Sequence, residues 1–407
     1  MAVKEKIVYV TRDIERALGM APNEDYLIVT NRTPYGEKIR DEYRDSVILV
    51  EPDHGDLLGT ADLLRHEKAA AALAVPNSYL LIFKNTARIE PIIREHAWRL
   101  LNPPAMTAEK IENKISQVSW LAELEHCLPS HRIQFMKSVA WNGEPFVVQW
   151  AHGHTGAGTI LVNSEAELNS LKEKFPERRS RITAYVKGPS FTVNAVVTPD
   201  GVYAASPSYQ ITGLPPFTDG PFATVGNDWA LAKAILSAED MQLIKDLVRD
   251  LGAKMQKEYW RGLFGIDLIK DAASGKLFLV EVNARQPASV TFESALQEEA
   301  RRTKSAEGLT TFEAHIAALL GQPLTKPIIE VTDGAQIVQR VTKTVKSVPE
   351  DAAGSLELAG YNVVTYPNTE ENADLIRIQS TEGIMEKHGE FNGSGKEIMD
   401  ALKQDVA

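Results

Sequence analysis

The sequence predicts an α/β protein of several domains, in which an N-terminal parallel sheet precedes lobes of mixed α+β structure and a small C-terminal α+β extension. The chain has 407 residues, more than a single hydrophobic core usually organises. Hydrophobic residues make up 43% of it and charged residues 24%, the proportions of an ordinary globular protein. Short apolar runs alternate with helical patterns over the N-terminal part, and this alternation is typical of a parallel sheet.

The N-terminal domain is predicted from five short apolar runs that have the composition of strands. These runs are 6–10, 26–30, 46–50, 79–83 and 98–101. Asn102-Pro103-Pro104 then ends the domain, because the residue before a proline leaves the α region and proline cannot extend a strand ladder.

The middle of the chain alternates predicted helices and strands. A helix is expected over 108–124, and another follows Ser237, where Asp240 lies three residues on as in a capping box. The predicted strands are 144–150, 159–162, 180–186 and 191–197. The stretch 206–227 contains glycines, prolines and aromatic residues without a regular period, and predicts a long functional loop.

The charge balance and the single cysteine exclude several classes of protein. The chain has 44 Lys and Arg against 55 Asp and Glu, a formal net charge of −11, which disfavours nucleic-acid binding because that affinity comes from clustered cations. Cys127 is the only cysteine, which excludes an internal disulfide and a thiolate zinc cage. The sequence shows no signal peptide and no apolar run of membrane-spanning length. We expect a cytoplasmic protein without nucleic-acid or membrane partners.

An acidic hairpin is the most specific feature of the sequence. Two predicted strands, 264–270 and 277–283, flank a turn at 271–275. If the turn is centred on Ser274, Asp267 lies opposite Glu281, and opposed residues point to the same face. Alternation along each strand then gives two faces. One face carries Gly265, Asp267, Ile269, Glu281 and Asn283, and the other carries Phe264, Ile266, Leu268, Phe278 and Val280.

Opposed like charges on a sheet repel, and a hard divalent cation bound by their oxygens removes the repulsion. We therefore predict a metal site formed by Asp267, Glu281 and Asn283; a solvated acidic face is the alternative. Arg285 extends the same face if the strand does not bend at Ala284. Its guanidinium suits a carboxylate or a transferring phosphoryl group, with a surface salt bridge as the alternative.

A glycine-rich loop at 153–159 lies between two predicted strands. Its glycines allow backbone N–H groups to approach an anion. It is not a Walker A loop, because neither Lys-Ser or Lys-Thr nor a helix follows the last glycine. A plain hairpin turn is the alternative, and His152 and His154 are interpreted first as loop residues and second as phosphate contacts.

In this order, the motifs resemble the ATP-grasp superfamily of carboxylate–amine ligases. The stretches 261–270 (RGLFGIDLIK) and 278–285 (FLVEVNAR) are similar to its metal-binding signature. The stretch 144–150 (EPFVVQW), the glycine-rich loop and a helix-like 164–174 resemble its small lobe. The resemblance covers roughly 105–322. It implies a preceding α/β domain, a small lobe, a large lobe and a C-terminal extension, at 1–104, 105–186, 187–329 and 330–407.

The resemblance implies ATP and Mg²⁺ as cofactors, with Mn²⁺ as an alternative to Mg²⁺. The residues implied to bind the nucleotide are Lys114, Gln149, His154, Thr155, Gly156, Gly158, Thr159, Thr183, Ala184, Tyr185, Val186 and Ser190. Two of them depart from the family pattern: the family normally has a lysine where Gln149 stands, and often a glutamate near the place of Ser190. The amide of Gln149 can donate a hydrogen bond but has no charge.

The implied reaction phosphorylates a substrate carboxylate to an acyl phosphate, which an amine attacks to give an amide and ADP. Arg285 and Arg261 are the implied catalytic residues at the acceptor site, with packing as the alternative for Arg261. The implied partners are small-molecule carboxylate and amine substrates, and a homodimer is compatible with the family. Two other functions remain open: a bicarbonate-phosphorylating enzyme of the biotin-carboxylase type and a regulatory ATP-binding protein. A dinucleotide-binding oxidoreductase is disfavoured, because no Gly-x-Gly-x-x-Gly follows the first strand.

Overall fold

Three large sheets form the framework of the protein, and each comes from one stretch of the chain. The structure is a computed structural model that describes residues 5–52, 56–153 and 158–403. Within these ranges, no helix combines the length and the apolar character that crossing a membrane requires.

The first sheet has five parallel strands in the order β3-β2-β1-β4-β5, which confirms the predicted N-terminal sheet. Its strands are β1 (Lys6–Val10), β2 (Tyr26–Asn31), β3 (Val47–Val50), β4 (Ser78–Ile82) and β5 (Arg99–Leu100). Its helices are α1 (Pro34–Tyr43), α2 (Thr60–Arg65), α3 (Glu67–Leu73) and α4 (Glu90–Glu95). The central strands are buried on both faces, as the continuous apolar runs require.

The second sheet has four antiparallel strands in the order β6-β9-β7-β8. The elements of this region are α5 (Ala105–Glu112), α6 (Ser116–Leu121), β6 (His131–Phe135), β7 (Phe146–Trp150), β8 (Thr159–Val162), α7 (Glu165–Lys174) and β9 (Arg179–Ala184). The prediction of one helix over 108–124 is wrong. The Asn113 side chain accepts hydrogen bonds from the backbone N–H groups of Ile115 and Ser116, and this local turn separates α5 from α6.

The third sheet follows the order β15-β14-β10-β12-β13-β16-β18-β17, with β11 paired to β10. Its strands are β10 (Ser190–Val197), β11 (Val202–Ala204), β12 (Ser208–Thr212), β13 (Thr224–Asp228), β14 (Gly262–Lys270), β15 (Leu277–Asn283), β16 (Ala335–Arg340), β17 (Asn362–Thr365) and β18 (Asp374–Ser380). A separate pair comprises β19 (Met385–Lys387) and β20 (Glu390–Phe391). The helices are α8 (Trp229–Ile235), α9 (Ala238–Lys257), α10 (Val290–Lys304), α11 (Thr311–Leu319), α12 (Ala352–Leu358) and α13 (Gly393–Ala401). The predicted Ser237–Asp240 capping box is present at the start of α9.

The stretch 206–227 is not one long loop, because it contains β12 and most of β13. Gly226 suggests a loop in the sequence, yet it lies inside β13. A Cβ atom there would lie 2.2 Å from the carbonyl oxygen of Gln336 on the neighbouring strand β16. The glycine is therefore needed for a close approach of two strands.

The acidic hairpin is present, and Asp267 lies opposite Glu281 as predicted. A β-bulge shifts the register by one residue beyond this pair, so that Leu268 faces Leu279 and Ile269 faces Phe278. The placement of Phe278 and Val280 on the core face is therefore wrong, and Leu279 is fully buried in their place. The error arises because an inserted residue reverses the alternation on one side of the bulge.

The C-terminal strands β16, β18 and β17 extend the third sheet from β13. The segment after residue 330 thus shares the sheet of the acidic hairpin. The N-terminal sheet is also joined to this unit, because Phe312 and Ile316 of α11 pack in one hydrophobic cluster with Tyr9 and Ile28. The N-terminal sheet and the C-terminal strands are therefore both attached to the unit that contains the acidic hairpin.

We expect the buried Glu293 of α10 to make the stability of this assembly depend on pH. Its buried carboxylate accepts hydrogen bonds from Asn194 Nδ2 (2.9 Å) and Thr311 Oγ1 (3.0 Å). Burial raises the pKa of Glu293 from 4.5 to about 7. Because the folded chain holds this proton more tightly than the unfolded chain, stability falls as the pH rises through this interval.

We expect Glu293→Gln to remove this loss. Between pH 4.5 and pH 7.5, the free energy of unfolding of the variant should gain about 3 kcal/mol relative to wild type. Urea unfolding at both pH values measures the change. Glu298→Gln, at an exposed position of the same helix, is the control and should track wild type. A Glu293→Gln protein with the wild-type pH dependence would contradict the assignment.

Candidate active site

A cavity of about 370 Å³ lies between the four-stranded sheet and the large sheet. Residues of β7 and β9 line one wall, and residues of β10, β12, β13, β14, β15 and β16 line the other. Arg16 of the N-terminal region and Arg377 of β18 complete it. The cavity therefore draws on every part of the chain.

The acidic face of the hairpin lies in the wall of this cavity. Asp267 accepts hydrogen bonds from Thr192 Oγ1 (2.8 Å), Gln210 Nε2 (2.7 Å) and Asn283 Nδ2 (3.0 Å). Loss of hydration, and then the charge of Glu281, raise the pKa of Asp267 to about 6. The three predicted metal ligands Asp267, Glu281 and Asn283 are thus brought together.

The donor set fits a hard divalent cation. Two carboxylates and one amide offer oxygen ligands, which Mg²⁺ and Mn²⁺ prefer. A cation between the strands would reverse the repulsion that raises the pKa of Asp267. Within the described residues, no three His, Cys, Asp or Glu side chains are grouped so that they could hold a metal. The candidate ligand set therefore consists of two acids and one amide, that of Asn283.

Lys114 connects this hairpin to the glycine-rich loop. Its Nζ donates to Glu281 Oε1 at 2.7 Å and lies 3.4 Å from the carbonyl oxygen of Gly153. The side chain is 4% exposed. Lys114 is therefore placed so that its ammonium group could contact an anion bound beside the acidic hairpin.

Most predicted nucleotide residues line the cavity. They are Lys114, Gln149, Thr159, Thr183, Ala184, Tyr185, Val186 and Ser190. Gly158 is not among the described lining residues. Its carbonyl oxygen accepts a hydrogen bond from the backbone N–H of Trp150 at 2.9 Å. His154, Thr155 and Gly156 lie outside the described residues. His152 is exposed and pairs with Glu109 at 3.2 Å.

The segment that leads from β9 to β10 is fixed to the acidic hairpin. Backbone N–H groups of Lys270 and Ala272 donate to the carbonyl oxygens of Pro189 (2.9 Å) and Lys187 (2.8 Å). Gly188 has a φ of +154°, and a Cβ atom there would lie 1.9 Å from the carbonyl oxygen of Lys270. This glycine allows the segment between the two sheets to lie directly against the hairpin.

Arg285 lines the cavity and forms an ion pair with Glu112 of α5. Glu112 also pairs with Lys84. Burial favours the neutral carboxyl, but Arg285 and Lys84 outweigh it and hold the pKa of Glu112 below its usual value. Arg285 is therefore oriented by a largely buried carboxylate and is not a surface salt bridge.

Arg261 is not at the cavity. It is exposed, its guanidinium lies near Gly321, and it does not occur among the described lining residues. It precedes β14 at the end far from Asp267, so the strand separates it from the acids. The assignment of Arg261 as a catalytic residue is not retained.

Sequence analysis missed Arg181, a buried arginine of β9. Its Nε donates to Gln149 Oε1 at 2.8 Å, and its Nη2 donates to the Val280 carbonyl oxygen at 2.8 Å. Burial lowers the pKa of Arg181 to about 10, and the charge of Glu281 opposes this shift. The signal in the sequence is a single arginine in a predicted strand, which cannot be assigned to a face before the pairing of β9 with β7 is known.

Sequence analysis also missed three arginines that line the cavity, Arg16, Arg340 and Arg377. Arg340 of β16 and Arg377 of β18 lie several strands away from the acidic hairpin in the order of the large sheet. Asp374 is within 3.4 Å of Arg340 and 3.0 Å of Arg377. The buried Nη1 atoms of Arg340 and Arg16 have no hydrogen-bond partner among the described residues. Among the residues that line the cavity on β16 and β18, two arginines, Arg340 and Arg377, thus lie beside one carboxylate, Asp374, the first residue of β18.

Solved structures with the same fold match nearly the whole chain. The N5-carboxyaminoimidazole synthetase of Staphylococcus aureus has a TM-score of 0.63 at 12% identity and covers 99% of both chains. The Aspergillus clavatus enzyme, in complex with ADP and 5-aminoimidazole ribonucleotide, has a TM-score of 0.61 at 14% identity, covering 98% of this chain and 97% of that one.

A biotin carboxylase domain also matches. It belongs to the 2-oxoglutarate carboxylase of Hydrogenobacter thermophilus, in complex with MgADP and bicarbonate, and has a TM-score of 0.60 at 13% identity, covering 94% of this chain and 87% of that one. Comparison by sequence finds neither a matching family model nor a matching curated protein. The chain therefore has the ATP-grasp fold, as the motifs suggest.

Whether Asp267, Glu281 and Asn283 bind a metal can be tested directly. We expect Asp267→Asn to weaken Mn²⁺ binding in the presence of ADP by roughly tenfold or more, because it removes an anionic oxygen ligand. Electron paramagnetic resonance of free Mn²⁺ measures the affinity. Asp271→Asn, in the turn of the same hairpin, is the control, since its carboxylate bonds Ser274 and not the cavity. Equal Mn²⁺ affinity in wild type and Asp267→Asn would rule out Asp267 as a ligand.

Proposed function

We propose that this chain is an ATP-dependent ligase that activates a small carboxylic acid as an acyl phosphate and couples it to an amine. The products would be an amide, ADP and phosphate. The observation that carries the proposal is one cavity in which the oxygen ligands of the acidic hairpin lie beside Lys114 and Arg285. Fold neighbours in complex with ADP and MgADP support it. Use of ATP also favours the cytoplasmic location expected from the sequence.

In this proposal, Asp267, Glu281 and Asn283 hold Mg²⁺, with Mn²⁺ as an alternative, and Lys114 binds phosphate. The segment 183–186 and Ser190 would line the adenosine part of ATP. The metal would neutralise charge on the phosphoryl group in transfer. Exclusion of water from the site during the reaction would protect an acyl phosphate from hydrolysis.

Arg285 would hold the carboxylate that receives the phosphoryl group. Its guanidinium can form two parallel hydrogen bonds to a carboxylate. Glu112 orients Arg285 through the ion pair between them, and it has no assigned contact with the substrate. We therefore assign Glu112 as a positioning residue.

The arginine-rich end of the cavity would bind a second anionic group of the substrate acid. Arg377 is held by Tyr366, Gln336 and Asp374, so its guanidinium is fixed before a ligand arrives. The unpartnered Nη1 of Arg340 needs an acceptor, because a buried donor without one is costly. An acid with a distal carboxylate or phosphate would meet both requirements.

A bicarbonate-activating enzyme is the second candidate function. It is favoured by the likeness to the biotin carboxylase domain in complex with MgADP and bicarbonate. The chemistry would be similar, since bicarbonate also offers a carboxylate-like oxygen to the phosphoryl group. The two candidates differ in which acid the ADP release depends on.

An ADP-release screen with Mg²⁺ separates these candidates. We expect release to require one acid and one amine from a panel that includes dicarboxylic and phosphorylated acids, in buffer freed of bicarbonate. Dependence on bicarbonate with an amine alone would favour the second candidate. Tight ATP binding without release in any combination would support a regulatory protein and contradict both.

Once the acid is known, Arg340→Gln should raise its KM by about 10-fold or more, because one charge-assisted contact is lost. The KM for ATP should stay within about twofold of wild type. Steady-state kinetics with each substrate varied in turn measure both values. Arg261→Gln is the matched control, since it removes an arginine that lies outside the cavity. A rise in the KM for ATP alone would place Arg340 at the wrong end of the cavity.

A further inference from the structure

Arg181 and Gln149 form a cross-strand pair in the wall of the cavity. They are direct partners in the antiparallel ladder of β7 and β9, so their side chains lie on one face. Both line the cavity. Gln149 is 4% exposed and Arg181 is 1% exposed.

The hydrogen bonds of Arg181 leave one part of its guanidinium unused. Nε donates a hydrogen bond to Gln149 Oε1, and Nη2 donates one to the carbonyl oxygen of Val280. The buried Nη1 has no partner among the described residues. A buried cationic donor without an acceptor costs free energy, and an acceptor bound in the cavity would remove that cost.

The acids nearby do not supply that acceptor. The carboxylate of Glu281 is paired with Lys114, at 2.7 Å. Asp267 accepts from Thr192, Gln210 and Asn283. Within the described residues, no carboxylate forms an ion pair with Arg181. A ligand in the cavity is the remaining source of negative charge.

We propose that Arg181 binds a phosphate group of the nucleotide and that Gln149 holds its guanidinium in place. This inference rests on the proposed function and deepens it, because it assigns a second cationic contact of the nucleotide site, beside Lys114, to β9. It also gives Gln149 a role. Its amide oxygen accepts a hydrogen bond from Arg181. A lysine at this position could not do so, because its ammonium group has only donors.

The inference predicts a loss of affinity that depends on phosphate. We expect Arg181→Met to weaken binding of AMP and MgADP by about 10- to 100-fold, the effect of one or two charge-assisted hydrogen bonds. Adenosine should bind as it does to wild type. Isothermal titration calorimetry of the full chain with the three ligands measures this difference, and the AMP and MgADP arms show which phosphates are involved.

Two further variants keep the test decisive. Arg179→Met removes an exposed arginine of the same strand and should leave all three affinities unchanged. Gln149→Lys combined with Arg181→Met places a cation on the partner strand at the same cross-strand position. This double variant should recover at least half of the lost free energy of AMP binding.

Equal losses for adenosine and AMP in Arg181→Met would overturn the inference, since a purely structural role would move both. Unchanged MgADP affinity would also overturn it. If the phosphate-dependent loss occurs and no acid–amine pair releases ADP, the inference stands and the ligase function fails. If ADP release is confirmed and the affinities do not move, the ligase function stands and the inference fails.

Discussion

The opposition of two carboxylates, Asp267 and Glu281, is the constraint on which the site depends. Directly opposed like charges destabilise a sheet, and the reduced hydration of this pair, together with the charge of Glu281, raises the pKa of Asp267. Hydrogen-bond donors from β10, β12 and β15 converge on Asp267. Lys114 brings a charge to Glu281 from the loop between α5 and α6. The surrounding elements are therefore arranged around this pair.

Three cations near the acids are each held by a second contact. Lys114 approaches the Gly153 carbonyl oxygen, Arg181 donates to Gln149, and Arg285 pairs with Glu112. A buried cation whose donors lack partners costs free energy, and a second contact or a bound anion lowers that cost. Fixed donors also need no reorganisation when charge develops during a reaction. The arrangement suits a polyanion that arrives with its own metal.

The sequence predicted the fold class, the five parallel strands and the pair Asp267–Glu281, because each depends on a local pattern or on one turn. It did not predict β12 and β13, since Gly226 and the prolines nearby have the composition of a loop. The glycine is needed because Gln336 of β16, a strand far along the chain, approaches it closely. Arg181, Arg340 and Arg377 were missed for a related reason. Their importance comes from strand pairings between distant segments, which a single sequence does not specify.

The bulge at Val280 shows how such pairings determine which groups face the cavity. It breaks the alternation that a uniform hairpin would have, so the register holds at Asp267–Glu281 and shifts beyond it. An inserted residue leaves a backbone group without a ladder partner, and the Val280 carbonyl oxygen accepts from Arg181 Nη2. The same residue therefore links the four-stranded sheet to the acidic hairpin across the cavity. A regular hairpin would keep the two acids together, but it would not offer Arg181 this contact, and the cation would lose the bond that holds it beside the acids.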